Sequence, residues 1–222
     1  MVEREEVTQR HVTFAGADLQ LEGVMHSPAG VAPFAAVAVC HPHPLHGGDM
    51  DNGIVLSICE DLARASIAAL RFNFRGVGRS EGDYDEGIGE QDDVVAALYF
   101  LRSAAGIDPC RIGLAGYSFG AKVALPVALQ NDEVKAVALV SPFLADADWE
   151  RTRDSLIPKL FLCGSDDQHI SSHKVQRLAG GLARPSRCEI ITGADHFWWG
   201  YEGQVSRRVA AFFEAVFQVR SA

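Results

Sequence analysis

Apolar runs of strand length alternate with stretches of helical spacing along most of this chain. Residues 34–40 form a continuous apolar run rich in Val and Ala. Such a run suits a strand buried on both faces, as in a parallel sheet. Residues 67–74, 111–117, 134–140, 159–163 and 188–192 read as further strands. Between them, 54–65 carries Ile54, Val55, Ile58 and Leu62 on one side, and 91–105 carries Val94, Val95, Leu98 and Leu101. Residues 119–130 are helix-prone, and 171–179 reads as a short helix. A closing amphipathic helix over 204–217 turns Val205, Val209, Phe212, Phe213 and Val216 inward. At the start, 7–14 and 19–26 read as a hairpin joined by Gly16-Ala17-Asp18. Residues 141–158 show no long periodic pattern. Strands alternating with helices predict right-handed crossovers and an α/β fold. The expected architecture is a doubly wound, mostly parallel sheet with helices on both faces. One domain spans 1–222, with too little chain after Val140 for an independent lid.

Composition narrows the class. At 222 residues, 48% hydrophobic and 22% charged, the chain reads as a soluble globular protein with one large core. Its net charge of −9 argues against nucleic acid and anionic membranes as partners. No apolar run reaches the ~20 residues that a membrane span needs. The charged start Met1-Val2-Glu3-Arg4-Glu5-Glu6 lacks the apolar stretch of a signal peptide. Cys40, Cys59, Cys110, Cys163 and Cys188 are odd in number and show no metal or redox spacing, so all five read as reduced and structural in a cytoplasmic protein.

The candidate chemistry centres on Gly116-Tyr117-Ser118-Phe119-Gly120, which matches G-x-S-x-G. The motif needs a strand before it and a helix after it, and the pattern supplies both. A tight strand-to-helix turn strains the serine backbone and leaves room only for glycine on either side. A serine hydroxyl is a poor nucleophile near neutrality, so it needs a base, and the base needs a carboxylate to orient it. The chain order on such a sheet is nucleophile, acid, base. His196, in Gly193-Ala194-Asp195-His196-Phe197, follows the last strand and is the base candidate. His169 is an alternative. Asp166 and Asp167, after the 159–163 strand, are the acid candidates, with Asp146 and Asp148 a further choice. Asp195 is disfavoured as the orienting partner because successive side chains in an extended segment point apart.

A developing oxyanion needs two N–H donors. Phe119, directly after the serine, is one. The other should come from His41-Pro42-His43-Pro44-Leu45-His46-Gly47-Gly48. Proline has no N–H, which leaves His43 first and Leu45 second. Leu45, Tyr117 and Trp198 are expected to line the substrate pocket, with packing under the last helix an equal alternative for Trp198. Three histidines within six residues also invite a metal-site reading, but no Cys or carboxylate cluster completes one, and no metal is expected. The loop 75–82 lacks the lysine and spacing of a phosphate loop and reads as a structural turn, with Arg75 and Glu81 in salt bridges.

With these residues in view, the chain resembles the α/β-hydrolase superfamily. More narrowly, it is similar to small capless bacterial hydrolases near the dienelactone-hydrolase and acyl-peptidase-like branches. The marks are the 41–52 loop, Arg71-Phe72-Asn73-Phe74-Arg75-Gly76-Val77-Gly78-Arg79-Ser80, the serine motif with Ala121, and Gly193-Ala194-Asp195-His196-Phe197. The resemblance implies Ser118 as nucleophile, Asp167 as acid through a G-x-x-D pattern, and His196 as base. It implies no cofactor. Dienelactone hydrolases proper carry Cys at the position of Ser118, and the usual His-Gly of the oxyanion loop is His41-Pro42 here.

The expected function is a cytoplasmic serine hydrolase that cleaves an ester or thioester through an acyl-enzyme. An amidase or acyltransferase uses the same parts. A non-catalytic binding protein on the same fold is the reading from a different class. The expected partner is a small-molecule acyl substrate, and a homodimer stays open.

Overall fold

The computed structural model describes residues 7–16 and 18–218. The amino-terminal segment read above for a signal peptide, and Ala17 of the hairpin turn, lie outside them. Strands β1 (Thr8–Gly16) and β2 (Leu19–Ser27) pair antiparallel, with Val12 opposite Gly23. They are followed by β3 (Phe34–Cys40), β4 (Ile67–Phe72), β5 (Ile107–Tyr117), β6 (Val134–Val140), β7 (Lys159–Gly164) and β8 (Ser186–Ile191). Among the described residues these eight strands form one sheet, in the order β1-β2-β4-β3-β5-β6-β7-β8. β2 joins β4 antiparallel, and every pair from β4 through β8 is parallel.

The continuous apolar runs are explained by burial on both faces. Along β3, Ala36, Ala38 and Cys40 join the core on one side, while Ala35, Val37 and Val39 join the core on the other. Helices α1 (Gly53–Arg64) and α6 (Glu202–Phe217) cover the second face. Helices α2 (Gly89–Ser103), α3 (Phe119–Gln130), α4 (Asp146–Thr152) and α5 (Ser172–Gly180) cover the first. Asn52 begins α1 by accepting the Ile54 N–H at 3.0 Å, a side-chain cap for an orphan donor of the first turn. Ile54, Val55, Ile58 and Leu62 are buried, as their spacing predicts.

Several expectations are corrected. Helix α4 falls inside 141–158; it is too short to display a period, and only Trp149 and Thr152 are buried. Val95 is exposed, because the buried stripe of α2 runs through Val94, Ala97, Leu98 and Leu101. Arg75 pairs with buried Asp93 at 2.8 Å, whereas Glu81 accepts the backbone N–H of Gln20 at 2.8 Å instead of forming an ion pair. Cys40, Cys59 and Cys163 are buried, but Cys110 is exposed and packs no core. Among the described residues, no helix is long and apolar enough to cross a membrane.

Strand register positions the site. Cys40 of β3 lies beside Gly116 of β5, and Tyr117 lies beside Val140 of β6. Val140 lies beside Leu162 of β7, and Gly164 beside Ile191 of β8. The carboxyl ends of five strands therefore stop at one edge. Open α/β sheets bind ligands at that edge.

Candidate active site

Ser118 sits between β5 and α3 at φ 54° and ψ −110°, a backbone conformation that side-chain-bearing residues rarely adopt. Two contacts force it. A Cβ on Gly116 would lie 2.4 Å from the Gly120 carbonyl oxygen, and one on Gly120 would lie 2.3 Å from the Cys40 carbonyl oxygen. The chain can turn this tightly only where both flanking positions are glycine. The Ser118 N–H is anchored to the Val140 carbonyl at 2.8 Å, and the hydroxyl is left facing the open edge.

The structure brings Ser118, His196 and Asp167 together. Ser118 Oγ lies 3.0 Å from His196 Nε2. His196 Nδ1 lies 2.9 Å from Asp167 Oδ2 and 3.1 Å from Oδ1. The Asp167 side chain is fully buried and that of His196 is 12% exposed. Asp167 Oδ1 also accepts the N–H groups of His169 at 2.9 Å and Ile170 at 2.8 Å, and Oδ2 accepts the Ser141 hydroxyl at 2.9 Å. Burial alone pushes the Asp167 carboxyl up. The hydrogen bonds from His196, Ile170 and Ser141 outweigh it and hold the group below the usual carboxylate range. An ionised carboxylate on Nδ1–H fixes the imidazole tautomer that leaves Nε2 free to accept a proton.

The other acid candidates are engaged elsewhere. Asp166 accepts the Ser165 hydroxyl at 2.6 Å and donates its N–H to the Ala194 carbonyl. Asp146 pairs with Lys174 at 2.9 Å, and Asp148 caps the Ala145 N–H. Asp195 Oδ1 accepts the N–H groups of Phe197 and Trp198. His169 is exposed, with its ring 4.9 Å from that of His196.

The loop after β3 comes next to the serine. His41 is buried, donates Nδ1–H to the Pro42 carbonyl at 2.7 Å, and accepts the Phe74 N–H on Nε2 at 3.1 Å. Burial pushes its pKa down to about 4, against the pull of the Pro42 hydrogen bond. His43 packs its ring 4.9 Å from that of Phe119. Its pKa is lowered by desolvation and by nearby His46 and Lys122. The Leu45 N–H is donated to His43 Nδ1 at 3.2 Å, which removes Leu45 from the candidate oxyanion donors. Phe119 opens α3, and N–H groups of a first helical turn have no intrahelical acceptor. Both ring nitrogens of His41 are taken by backbone. Among the described residues, no group of three or more His, Cys, Asp or Glu is placed to hold a metal.

A cleft of about 610 Å³ opens over Ser118, lined by His43, Tyr117, Phe119, Lys122, Phe143 and Phe197 among others. Tyr117 lines it and donates its hydroxyl to the His196 carbonyl at 2.7 Å. Leu45 does not line it. The 3-10 turn Pro44–His46 rotates Leu45 into solvent, where it is 68% exposed, and turns His46 and Gly47 inward. Trp198 is also no pocket wall, being fully buried beneath the site. The Asp195 cap curls the chain so that Trp198 points into the core and Phe197 faces the cleft. Phe143, Phe197 and Lys122 are among the lining residues that sequence reasoning missed. Phe143 and Phe197 lie in the loops that follow β6 and β8, three and six residues past the strand ends, and Lys122 lies one helical turn past Ser118, so position carried a signal for all three. A larger cavity of about 760 Å³, between α5 and α6 at the amino ends of β7 and β8, holds none of these residues.

Comparison with known proteins bears on the family and the fold. Residues 85–211 match the dienelactone hydrolase family. An uncharacterized protein of Rickettsia prowazekii is 33% identical over 196 residues, covering 84% of this chain and 81% of its own. A thiohydrolase of Arthrinium phaeospermum is 40% identical over 81 residues, which span 35% of this chain and 26% of that protein. Among solved structures, an alpha-beta serine hydrolase homologue from Coxiella burnetii superposes with a TM-score of 0.81 at 31% identity, covering 91% of this chain and 96% of that one. A serine hydrolase without lid from Xanthomonas campestris gives a TM-score of 0.82 at 26% identity, covering 95% of each chain.

Proposed function

This chain belongs to the dienelactone hydrolase family and is a hydrolase of the α/β type, and from that premise we propose that it cleaves carboxylic esters or thioesters through an acyl-enzyme on Ser118. The observation that carries the reading is the continuous hydrogen-bond line from Ser118 Oγ through His196 to Asp167, at 3.0 and 2.9 Å. His196 Nε2 takes the hydroxyl proton as Ser118 Oγ attacks the substrate carbonyl. Buried Asp167 steadies the imidazolium that forms. The N–H groups of Phe119 and His43 receive the oxyanion; losing one such donor typically costs ~10²–10³ in rate. The leaving alcohol or thiol departs with the proton from His196. Water then attacks the acyl-enzyme by the same steps, and the open cleft admits it.

The cleft favours particular acyl groups. Phe143 and Phe197 offer apolar walls, and among the described residues no Asp or Glu lines it, while Lys122 does. Neutral or anionic acyl groups are the better fit. The partial likeness to a thiohydrolase supports keeping thioesters in the substrate class.

The test is labelling with a fluorescent fluorophosphonate, read by peptide mass spectrometry, beside turnover of p-nitrophenyl esters and acyl-thioesters of graded length. Label on Ser118, with label and turnover both lost in Ser118→Ala, is the expected result. Folded wild-type protein that takes no label and turns over no ester or thioester would overturn it.

A further inference from the structure

Behind Asp167, the described chain places two side chains that the reaction as outlined does not use. Ser141 follows β6, is fully buried, and holds φ at 42°. Trp198 is fully buried and holds φ at 60°. Trp198 Nε1 lies 3.2 Å from Ser141 Oγ, and Ser141 Oγ lies 2.9 Å from Asp167 Oδ2. The direction of this line is fixed by chemistry. An indole N–H only donates, so the serine oxygen accepts from Trp198 and its single proton points at the carboxylate. We infer that Ser141, oriented by Trp198, is a positioning residue that shares Asp167 Oδ2 with His196 and thereby sets the pH below which His196 no longer serves as the base. The inference rests on the reading of Asp167 and His196 given above.

Oδ2 receives two protons, one from Ser141 and one from His196 Nδ1, both at 2.9 Å. Each donor drains negative charge that the other would feel. A Trp198–Ser141–Asp167 chain polarises along its length, which strengthens the Ser141 share. With Ser141 in place, the carboxylate offers less negative charge to the imidazolium that forms on His196. The hydroxyl also fixes the carboxylate plane opposite Nδ1. The ionisable groups facing His196 are Asp167, His169 with its ring at 4.9 Å, Tyr117 with its ring at 6.0 Å, and Asp195. His43, His46 and Lys122 stand across the cleft. Of these, Asp167 is the group that loses a hydrogen bond when the hydroxyl at 141 is removed.

The backbone at Ser141 supplies its own control. Ser141→Ala removes the hydroxyl and keeps the side-chain-bearing residue at positive φ. Ser141→Gly removes the hydroxyl and relieves the backbone. Trp198→Phe keeps the aromatic packing and deletes only the N–H. The pH dependence of kcat/KM is measured for all three beside wild type. The midpoint of the His196 ring titration is followed by NMR in a Ser118→Ala background, which needs no turnover. Both Ser141 variants are expected to move the acid limb and the ring midpoint upward by about half a pH unit or more, with Trp198→Phe moving them the same way by less. Limbs and midpoints that coincide with wild type in the variants that fold would overturn the inference, however much kcat falls, because a merely structural role lowers rate without moving the limb. Failure of the underlying reading looks different: turnover would persist in Ser118→Ala.

Discussion

Ser118 is the residue whose backbone and side chain make opposite demands, and that conflict is measurable. At φ 54° and ψ −110° a side-chain-bearing residue stores strain, typically about 1–3 kcal/mol for a sparsely populated conformation. Glycine adopts positive φ freely but loses about 0.4–1 kcal/mol through the added freedom of the unfolded chain. Ser118→Ala and Ser118→Gly both delete the hydroxyl and its 3.0 Å bond to His196, so that loss cancels between them. What remains is strain relief minus unfolded-state entropy, which leaves the glycine variant roughly 1 kcal/mol more stable than the alanine variant. In a chain of this length that separates the two melting temperatures by about 2–4 °C. Urea midpoints at fixed slope, with thermal melts beside them, read the difference. Neither variant should take a fluorophosphonate label. A glycine variant no more stable than the alanine variant would show that the turn is relaxed, and the claim of stored strain would fall.

Two further predictions concern the supports of the site. Gly120→Ala places a Cβ 2.3 Å from the Cys40 carbonyl oxygen and 2.6 Å from that of His41; backbone atoms cannot step aside, so overpacking should cost about 1–3 kcal/mol in urea denaturation and push the His41–Gly48 loop away from Ser118, lowering kcat. A variant with unchanged midpoint and rate would refute the close approach. His41 titrates near 4 when folded and near 6.5 when unfolded, so the unfolded chain binds the proton first. Its contribution is fully present above pH 6.5 and is lost as pH falls toward 4, by roughly 3 kcal/mol in all. Urea midpoints for wild type and His41→Gln between pH 7.5 and 4.5 check this, and parallel curves would count against it.

How much of this was legible in the sequence follows from what periodicity can report. Runs buried on both faces, such as 34–40 and 134–140, matched β3 and β6 in their bounds, because burial on both faces leaves little room for polar residues; Lys135, the exception, sits exposed at the start of β6. The elbow strand and helix were legible because two glycines and a serine occur at fixed spacing. The misses have local causes. Seven-residue α4 completes too few turns to establish a stripe. Val95 fits the helical spacing but lies on the rim of the stripe that Val94 and Leu98 define. Trp198 and Leu45 were assigned to the pocket by side-chain type. The Asp195 cap and the Pro44–His46 turn decide orientation instead, and hydrophobic pattern carries no record of either.

The same distinction explains where the unusual backbone lies. The side-chain-bearing residues at positive φ among those described are Ser66, Glu86, Ser118, Ser141, Trp198 and Gln218. Ser66 and Gln218 terminate α1 and α6, where a left-handed residue is ordinary. The others gather around the cleft. Ser118 carries the hydroxyl, Ser141 and Trp198 back Asp167, and the Glu86 carbonyl accepts the Lys122 ammonium at 3.3 Å. Each strained serine is tied down by the neighbouring strand: the Ser118 N–H by Val140 and the Ser141 N–H by Leu162, both at 2.8 Å. The parallel sheet therefore does more than bury apolar surface. Its ladder continues one residue past the strands and fixes φ values that local preference would reject. That hold is what keeps Ser118 Oγ and the Asp167 carboxylate on opposite sides of one imidazole. A sheet loosened at the β6–β7 pair should lose the geometry of the site before it loses the fold.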